Sequence, residues 1–275
     1  GIEIIIMNRF ELDLFSENSC INAIKEYKPD WVINCAAYTN VDKAEDQRDI
    51  AYGINSLAPK YFCNAIKDYG GDLLHISTDY VFDGKKGSPY EANDEKSPLS
   101  VYGYTKAKGE DFIVDNLADL NKGHIIRTSW LMSNYGNNFA IKILNKFNEN
   151  NELRVISDQI GCPTTAFTLA EACWQTIELK SKGINIPNLM HYCNAGVASW
   201  YDVAFTLEEI GRKLNLINHP VKIIPISSRS YPAKAKRPPY SVLNTFATLD
   251  KLSLDHINWR KSISFLLEKN NIIND

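Results

Sequence analysis

The stretch LLHISTDYVFDG, residues 73–84, decides how the rest of the chain is read. It opens with an apolar run and breaks into Thr78, Asp79 and a Gly84 turn. The run is continuous rather than alternating, as in a strand covered on both faces of a parallel sheet. Similar runs stand at 2–7 (IEIIIM), 31–35 (WVINC) and 124–128 (HIIRT). Between them lie helical patterns at about 17–28, with Ser16 as N-cap, at about 57–69, with Pro59 in the first turn and Gly70-Gly71 behind, and from Tyr102 to about 116. Strands alternating with helices predict an α/β fold with a doubly wound parallel sheet.

In such sheets ligands bind beyond the carboxyl ends of the strands. The expected ends are chemically unusual: Asn8-Arg9, NCAAYTNVD (34–42), STDYVFDG (77–84) and TSW (128–130). Just downstream of the third, VYGYTK (101–106) sets Tyr102 and Lys106 four residues apart, on one helix face. A cation beside a phenol lowers its pKa from about 10 and makes it usable in proton transfer. Tyr-x-x-x-Lys by itself is short and common, and alone it reads as a surface Tyr–Lys pair on an amphipathic helix. Thr78 and Asp79 also suit a turn, Trp130 a core, and Asn34 and Asn55 ordinary turn or helix-surface positions. The convergence of several such ends on one edge is what points to a site.

The second half is less regular, with helical patterns at about 139–149, 167–181 and 199–214. They are separated by VISDQIGCPTT, NIPNLMHYCNAG and VKIIPISSRSYPAKAKRPPYS, read as connections. The expected division is a dinucleotide-binding domain over 1–150 and a smaller substrate domain over 151–275, with segments crossing back to the sheet. The 275 residues carry a net charge of −3, which offers no electrostatic attraction for nucleic acid or an anionic membrane. No apolar run approaches the ~18 residues of a membrane span. Six cysteines without a Cys-x-x-Cys pair and five dispersed histidines make neither a disulfide framework nor a metal motif. The expectation is a reducing cytoplasm and no protein-held metal.

NCAAYTNVDKAE, HISTDYVFDG, VYGYTKAKGE, IIRTSWLM, GNNFA, ISDQIGCPT, WYDVA and KRPPYSVLNT, taken in order, resemble the dTDP-4-dehydrorhamnose reductase family. That family is among the extended short-chain dehydrogenase/reductases, and the resemblance runs through nearly the whole chain. It implies a Rossmann-like sheet and reduction of a nucleotide-sugar C4 ketone. By resemblance Tyr102 is the acid/base residue, Lys106 its partner and a ligand of the nicotinamide ribose, and Thr78 a donor beside the reacting oxygen. Thr78 and Asp79 would touch the sugar nucleotide, Trp130 would pack on it, and Arg237 would reach its diphosphate. Ala37, Tyr38 and Thr39 would line the cofactor, with Asp13 and Leu14 near the adenine. Arg9, with no acid before Glu11, favours NADPH over NADH, since a cation accommodates the 2′-phosphate.

The resembling family opens with a strand, a glycine-rich turn and a helix. The fourteen glycines here show no Gly-x-Gly-x-x-Gly spacing. The sequence therefore reads as beginning at the family's second strand, with the first β-α unit missing. Other functions compatible with the pattern are a regulatory subunit like the β subunit of methionine adenosyltransferase and a nucleotide-sugar epimerase or dehydratase. A homodimer is compatible with each.

Overall fold

The structure, a computed structural model, describes residues 1–273. Helix α1 (Glu17–Tyr27) starts where the Ser16 hydroxyl accepts the Ser19 N–H, and ends at Lys28 in the left-handed region. Strand β1 (Trp31–Asn34) follows, then the short helices α2 (Val41–Ala44) and α3 (Arg48–Tyr52). A π-helical turn over 53–57 leads into α4 (Ala58–Tyr69), β2 (Asp72–Thr78), α5 (Val101–Leu117) and β3 (Gly123–Thr128). Ser100 caps α5 by accepting the Gly103 N–H.

Beyond β3 come β4 (Leu131–Met132), α6 (Phe139–Glu149), β5 (Glu152–Ile156), β6 (Ile160–Gly161) and β7 (Thr164–Thr165). Then follow α7 (Ala166–Ser181), β8 (Leu189–His191), β9 (Ala198–Ser199), α8 (Trp200–Lys213) and β10 (Lys222–Ile226). Helices α9 (Phe246–Leu252) and α10 (Trp259–Ile273) close the described chain.

The main sheet has the order β1-β2-β3-β8, parallel throughout, with Asn34 beside His75 and Thr78 beside Thr128. Both faces are covered, which explains the continuous apolar runs. Leu73 and Ile125 pack with Ile24, Phe62, Ile66, Ile113 and Leu117 from α1, α4 and α5. Leu74 and Ile126 pack on the opposite face with Leu169, Ala172 and Leu249 from α7 and α9. A separate core gathers Phe147, Val155, Val203, Leu207 and Ile263 around α6, α8 and α10.

Two expectations are corrected. The run at 2–7 forms no strand, and Ile2 and Ile6 are 75% and 86% exposed. Isoleucine supplies strand propensity, but a strand also needs a ladder of hydrogen bonds to a neighbour, and residues 2–7 pair with none of the described strands, the free edge of β1 included. In the second half, three segments read as connections contain strands. Strand β8 extends the main sheet, while β5 and β10 pair in parallel with each other. Each is short, and Pro225 breaks the apolar run of β10, so periodicity gives little sign of them.

Candidate active site

The carboxyl ends of β1, β2 and β3 lie side by side, and α5 crosses beneath them. Odd-numbered residues of β2 face α5, because side chains alternate along a strand. His75 and Ser77 thus meet the sheet-facing side of the helix, where Lys106, Glu110, Ile113 and Leu117 recur at helical spacing. The helix approaches closely at two glycines. A Cβ on Gly103 would stand 2.2 Å from the Tyr80 carbonyl oxygen, and one on Gly109 2.2 Å from that of Asn55. Gly103 thereby lets the neighbouring Tyr102 come up against the end of β2.

Thr78 ends β2 and caps the following one-turn helix by accepting the Tyr80 N–H at 3.2 Å. Its hydroxyl donates to Asp79 Oδ1 at 3.1 Å and stands beside the Tyr102 phenol. The Tyr80 and Tyr102 rings meet edge to face at 5.4 Å. Burial pushes the Tyr102 phenol up to about 12, with the Thr78 hydroxyl opposing and the Asp79 charge adding to the rise. The expectation of a phenol lowered by Lys106 is thus not met: desolvation dominates. Lys106 is 1% exposed, donates to the Ile76 carbonyl oxygen at 2.6 Å and sits 2.9 Å from His75 Nε2. Burial lowers its amine to about 8, with Glu110 and Cys35 acting the other way. Asp79, 1% exposed, is pushed by burial up to about 6 although Ser241 and Thr78 both donate to it.

The segment after β1 is tied to α5 by Asn55. Its amide accepts the Tyr38 N–H at 2.8 Å and donates to the Tyr38 carbonyl and to Thr105 Oγ1. Cys35, Ala36 and Thr39 are exposed, while Ala37 and Tyr38 are half-buried. Asp13 and Leu14 lie just ahead of α1, and the neighbouring Phe15 ring fills the space over Gly53, two residues from Asn55. Arg9 is exposed, and among the described residues no hydrogen bond or ion pair holds its side chain.

Trp130 follows β3 in the left-handed region, φ 48°, and its ring lies over Gly161, where a Cβ would be 2.6 Å away. Trp200 stacks on it at 3.6 Å with 5° between the planes. Arg237 reaches the edge of the site: it stands beside the Tyr80 side chain and pairs with Asp42 at 2.6 Å. Asp42 also accepts the N–H groups of Lys234 and Ala235, which holds its carboxyl below the usual range together with Arg237. The arginine expected at a diphosphate is therefore engaged by a carboxylate here.

The structure thus gathers Thr78, Asp79 and Tyr102, with Lys106 one turn on, and places Trp130, Arg237 and the 37–39 segment on the same edge. Arg9, exposed, makes no hydrogen bond or ion pair with any of them. Sequence reasoning missed Asn55 as a tie, Ser241 as the partner of Asp79, and the buried His75, Glu110 and Arg127. A histidine inside an apolar strand and a glutamate four residues after Lys106 were the available signals.

Two features fit a dinucleotide at this edge. The Thr128 hydroxyl, buried beside Thr78, has no protein partner. The small, exposed Cys35 and Ala36 leave the end of β1 open next to Lys106. Among the described residues no helix is long and apolar enough to cross a membrane, and no cluster of three or more ligating side chains could hold a metal.

Comparison with known proteins places this geometry. The family model of the RmlD substrate binding domain matches residues 1–272. A dTDP-4-dehydrorhamnose reductase of Sinorhizobium fredii is 35% identical over 264 residues, covering 95% of this chain and 87% of that protein. The crystal structure of a dTDP-4-dehydrorhamnose reductase from Clostridium acetobutylicum superposes with a TM-score of 0.87 at 36% identity, covering 98% of this chain and 91% of its own. That of the Bacillus anthracis dTDP-4-dehydrorhamnose reductase, in complex with NADP, gives 0.85 at 31%, covering 96% and 89%.

Proposed function

The chain belongs to the RmlD substrate binding domain family, and on that premise we propose that it catalyses the NADPH-dependent reduction of dTDP-4-dehydro-L-rhamnose to dTDP-L-rhamnose. The observation that carries the reading is the Thr78 hydroxyl beside the Tyr102 phenol at the end of β2, with the buried Lys106 one turn along α5.

Bound NADPH supplies the hydride that adds to C4 of the sugar. The carbonyl π electrons move onto the ketone oxygen, which then needs a proton. Tyr102 donates it. A phenol held near 12 stays protonated at neutral pH, so the donor is loaded before each turnover. Thr78, beside the phenol, turns its single O–H from Asp79 to the developing oxyanion. Lys106 retains an N–H for the ribose beyond the one it gives to Ile76. Ala37, Tyr38 and Thr39 line the cofactor, held in place through Asn55, with Asp13 and Leu14 toward the adenine and Arg9 toward the 2′-phosphate. Asp79 orients the sugar nucleotide, Trp130 packs on it, and Arg237 turns from Asp42 to the diphosphate. The six free thiols agree with a reducing cytoplasm. A homodimer is the assembly we place there.

The test follows NADPH absorbance in the presence of dTDP-4-dehydro-L-rhamnose. The reading expects one NADPH consumed per sugar reduced, with NADH slower. Product formed without net NADPH loss would show an epimerase or dehydratase instead.

A further inference from the structure

Beneath the site, three buried side chains form a hydrogen-bond chain whose donors and acceptors can be counted. It begins at the backbone, where Ala36 N–H donates to Asn34 Oδ1 at 3.1 Å. An N–H can only donate, so this oxygen accepts and the same amide's Nδ2 is the donor toward His75 Nδ1, 3.1 Å away. His75 Nδ1 therefore carries a lone pair, and the ring proton sits on Nε2. Nε2 lies 2.9 Å from Lys106 Nζ. A ring N–H can only donate, so Lys106 must accept with a lone pair, as a neutral amine. Asn34, His75 and Lys106 are 4%, 0% and 1% exposed, so water does not take these bonds over.

Charging Lys106 reverses the chain. An ammonium has no lone pair, so Nε2 must accept, Nδ1 must carry the proton, and the Asn34 amide must turn its oxygen to face it. Ala36 N–H then loses its acceptor. One proton is taken up overall: Lys106 receives the Nε2 proton, Nδ1 receives the incoming one, and the ring stays neutral throughout.

We propose that His75 is a positioning residue that sets the protonation of Lys106 and links it, through Asn34, to the backbone after β1. The proposal rests on the reading of Lys106 as the partner of Tyr102. It ties the charge of that lysine to the segment assigned to the cofactor. The groups facing Lys106 agree with it. Burial and the lysine hold His75 well below its ordinary value, so it does not charge. The Cys35 thiol, in a residue that is exposed as a whole, is desolvated by the protein around it, which outweighs the lysine charge, pushes it up and keeps it neutral. Glu110 is committed to Arg127 and Lys96, and Tyr102, one turn earlier on α5, is a neutral phenol.

The decisive experiment reads ring nitrogens rather than activity. The full chain, labelled with ¹⁵N-histidine, is studied by two-bond ¹H–¹⁵N correlation, which separates Nε2–H, Nδ1–H and imidazolium. His75 is assigned by the signal missing in His75→Gln. The expected result is Nε2–H above about pH 8, where Lys106 is neutral, giving way to Nδ1–H below it without an imidazolium stage. Nδ1–H at every pH would mean a permanently charged lysine and would overturn the proposal, as would an imidazolium. Neither result touches the assigned reaction, which the NADPH assay tests alone.

The second readout is the pH profile of NADPH consumption. His75→Phe should lower kcat roughly tenfold, as expected for losing one hydrogen bond to a charged group, and displace the pH limb, with sugar-nucleotide KM unchanged. His75→Gln, whose amide can turn to donate or accept, should recover most of the rate. Equal losses in both variants with the wild-type pH profile would make His75 a packing residue and contradict the proposal.

Discussion

Lys106 and Glu110 lie one turn apart on the same face of α5, each 1% exposed, and the fold treats them oppositely. Glu110 accepts from Ser77 at 2.5 Å and from Arg127 at 2.9 and 2.7 Å, and lies 3.3 Å from the Lys96 ammonium. With those partners its carboxyl stays below the ordinary value despite burial. Lys106 has a carbonyl and a neutral imidazole and no carboxylate within bonding distance, and its amine falls. A buried charge with a full set of partners holds the architecture together. One with an incomplete set is a place for a ligand or a proton.

That contrast can be broken first at the chemistry. Tyr102→Phe should cut NADPH turnover by roughly 10²–10⁴-fold, the usual worth of a general acid, while melting and nucleotide binding stay near wild type. Wild-type turnover in this variant would remove the phenol from the mechanism. At the other end of the helix, Glu110→Gln leaves the buried Arg127 charge unpaired and should cost about 3–5 kcal/mol in urea unfolding. The pH dependence has a definite sign. Because the Glu110 value is lowered in the fold, its stabilisation is complete above the unfolded pKa of about 4.3 and is lost as pH falls through the lowered value. The variant should therefore lose its deficit on acidification.

Asp79 sharpens the comparison with the opposite sign. Its folded value is up at about 6, so the ionised form strains the fold above that pH and the protonated form below the unfolded pKa does not. Asp79→Asn should raise stability by ~1–2 kcal/mol near pH 8, after allowing for the altered Ser241 bond, and by little near pH 4. A variant equally destabilised at both pH values would show the carboxylate to be fully compensated. The smallest effect belongs to the surface strap. Asp42→Ala should change stability by no more than ~1 kcal/mol, because the Asp42–Arg237 pair is partly exposed. The same change should make the 231–237 loop more open to proteolysis.

The parts of this arrangement legible in sequence follow the grammar of a covered sheet. WVINC, LLHIS and HIIRT could be read as strands because both faces of the sheet are buried, so their apolar runs are continuous. Thr78, Asp79, Tyr102, Lys106 and Trp130 stood out because strand ends and an i, i+4 pair have fixed consequences for position. IEIIIM shows the limit: its propensity is local, and pairing is not. Glu110 shows another. Four residues after Lys106 it looks like half of an exposed helical pair, and only the sheet packed on that face reveals Arg127 and Ser77 as its partners. His75 is hidden for the same reason, and the resemblance that sets Arg237 at a diphosphate gives no sign of Asp42 beside it.

The most direct measurement compares wild type with Lys106→Met, recording NADPH consumption with dTDP-4-dehydro-L-rhamnose and thermal melting on the same samples. The account predicts stoichiometric NADPH loss in wild type, loss of most turnover and weakened NADPH binding in the variant, and a melting temperature at or above wild type, since a poorly partnered buried amine is removed. A variant that turns over at the wild-type rate, or one that loses activity only by unfolding, would contradict it.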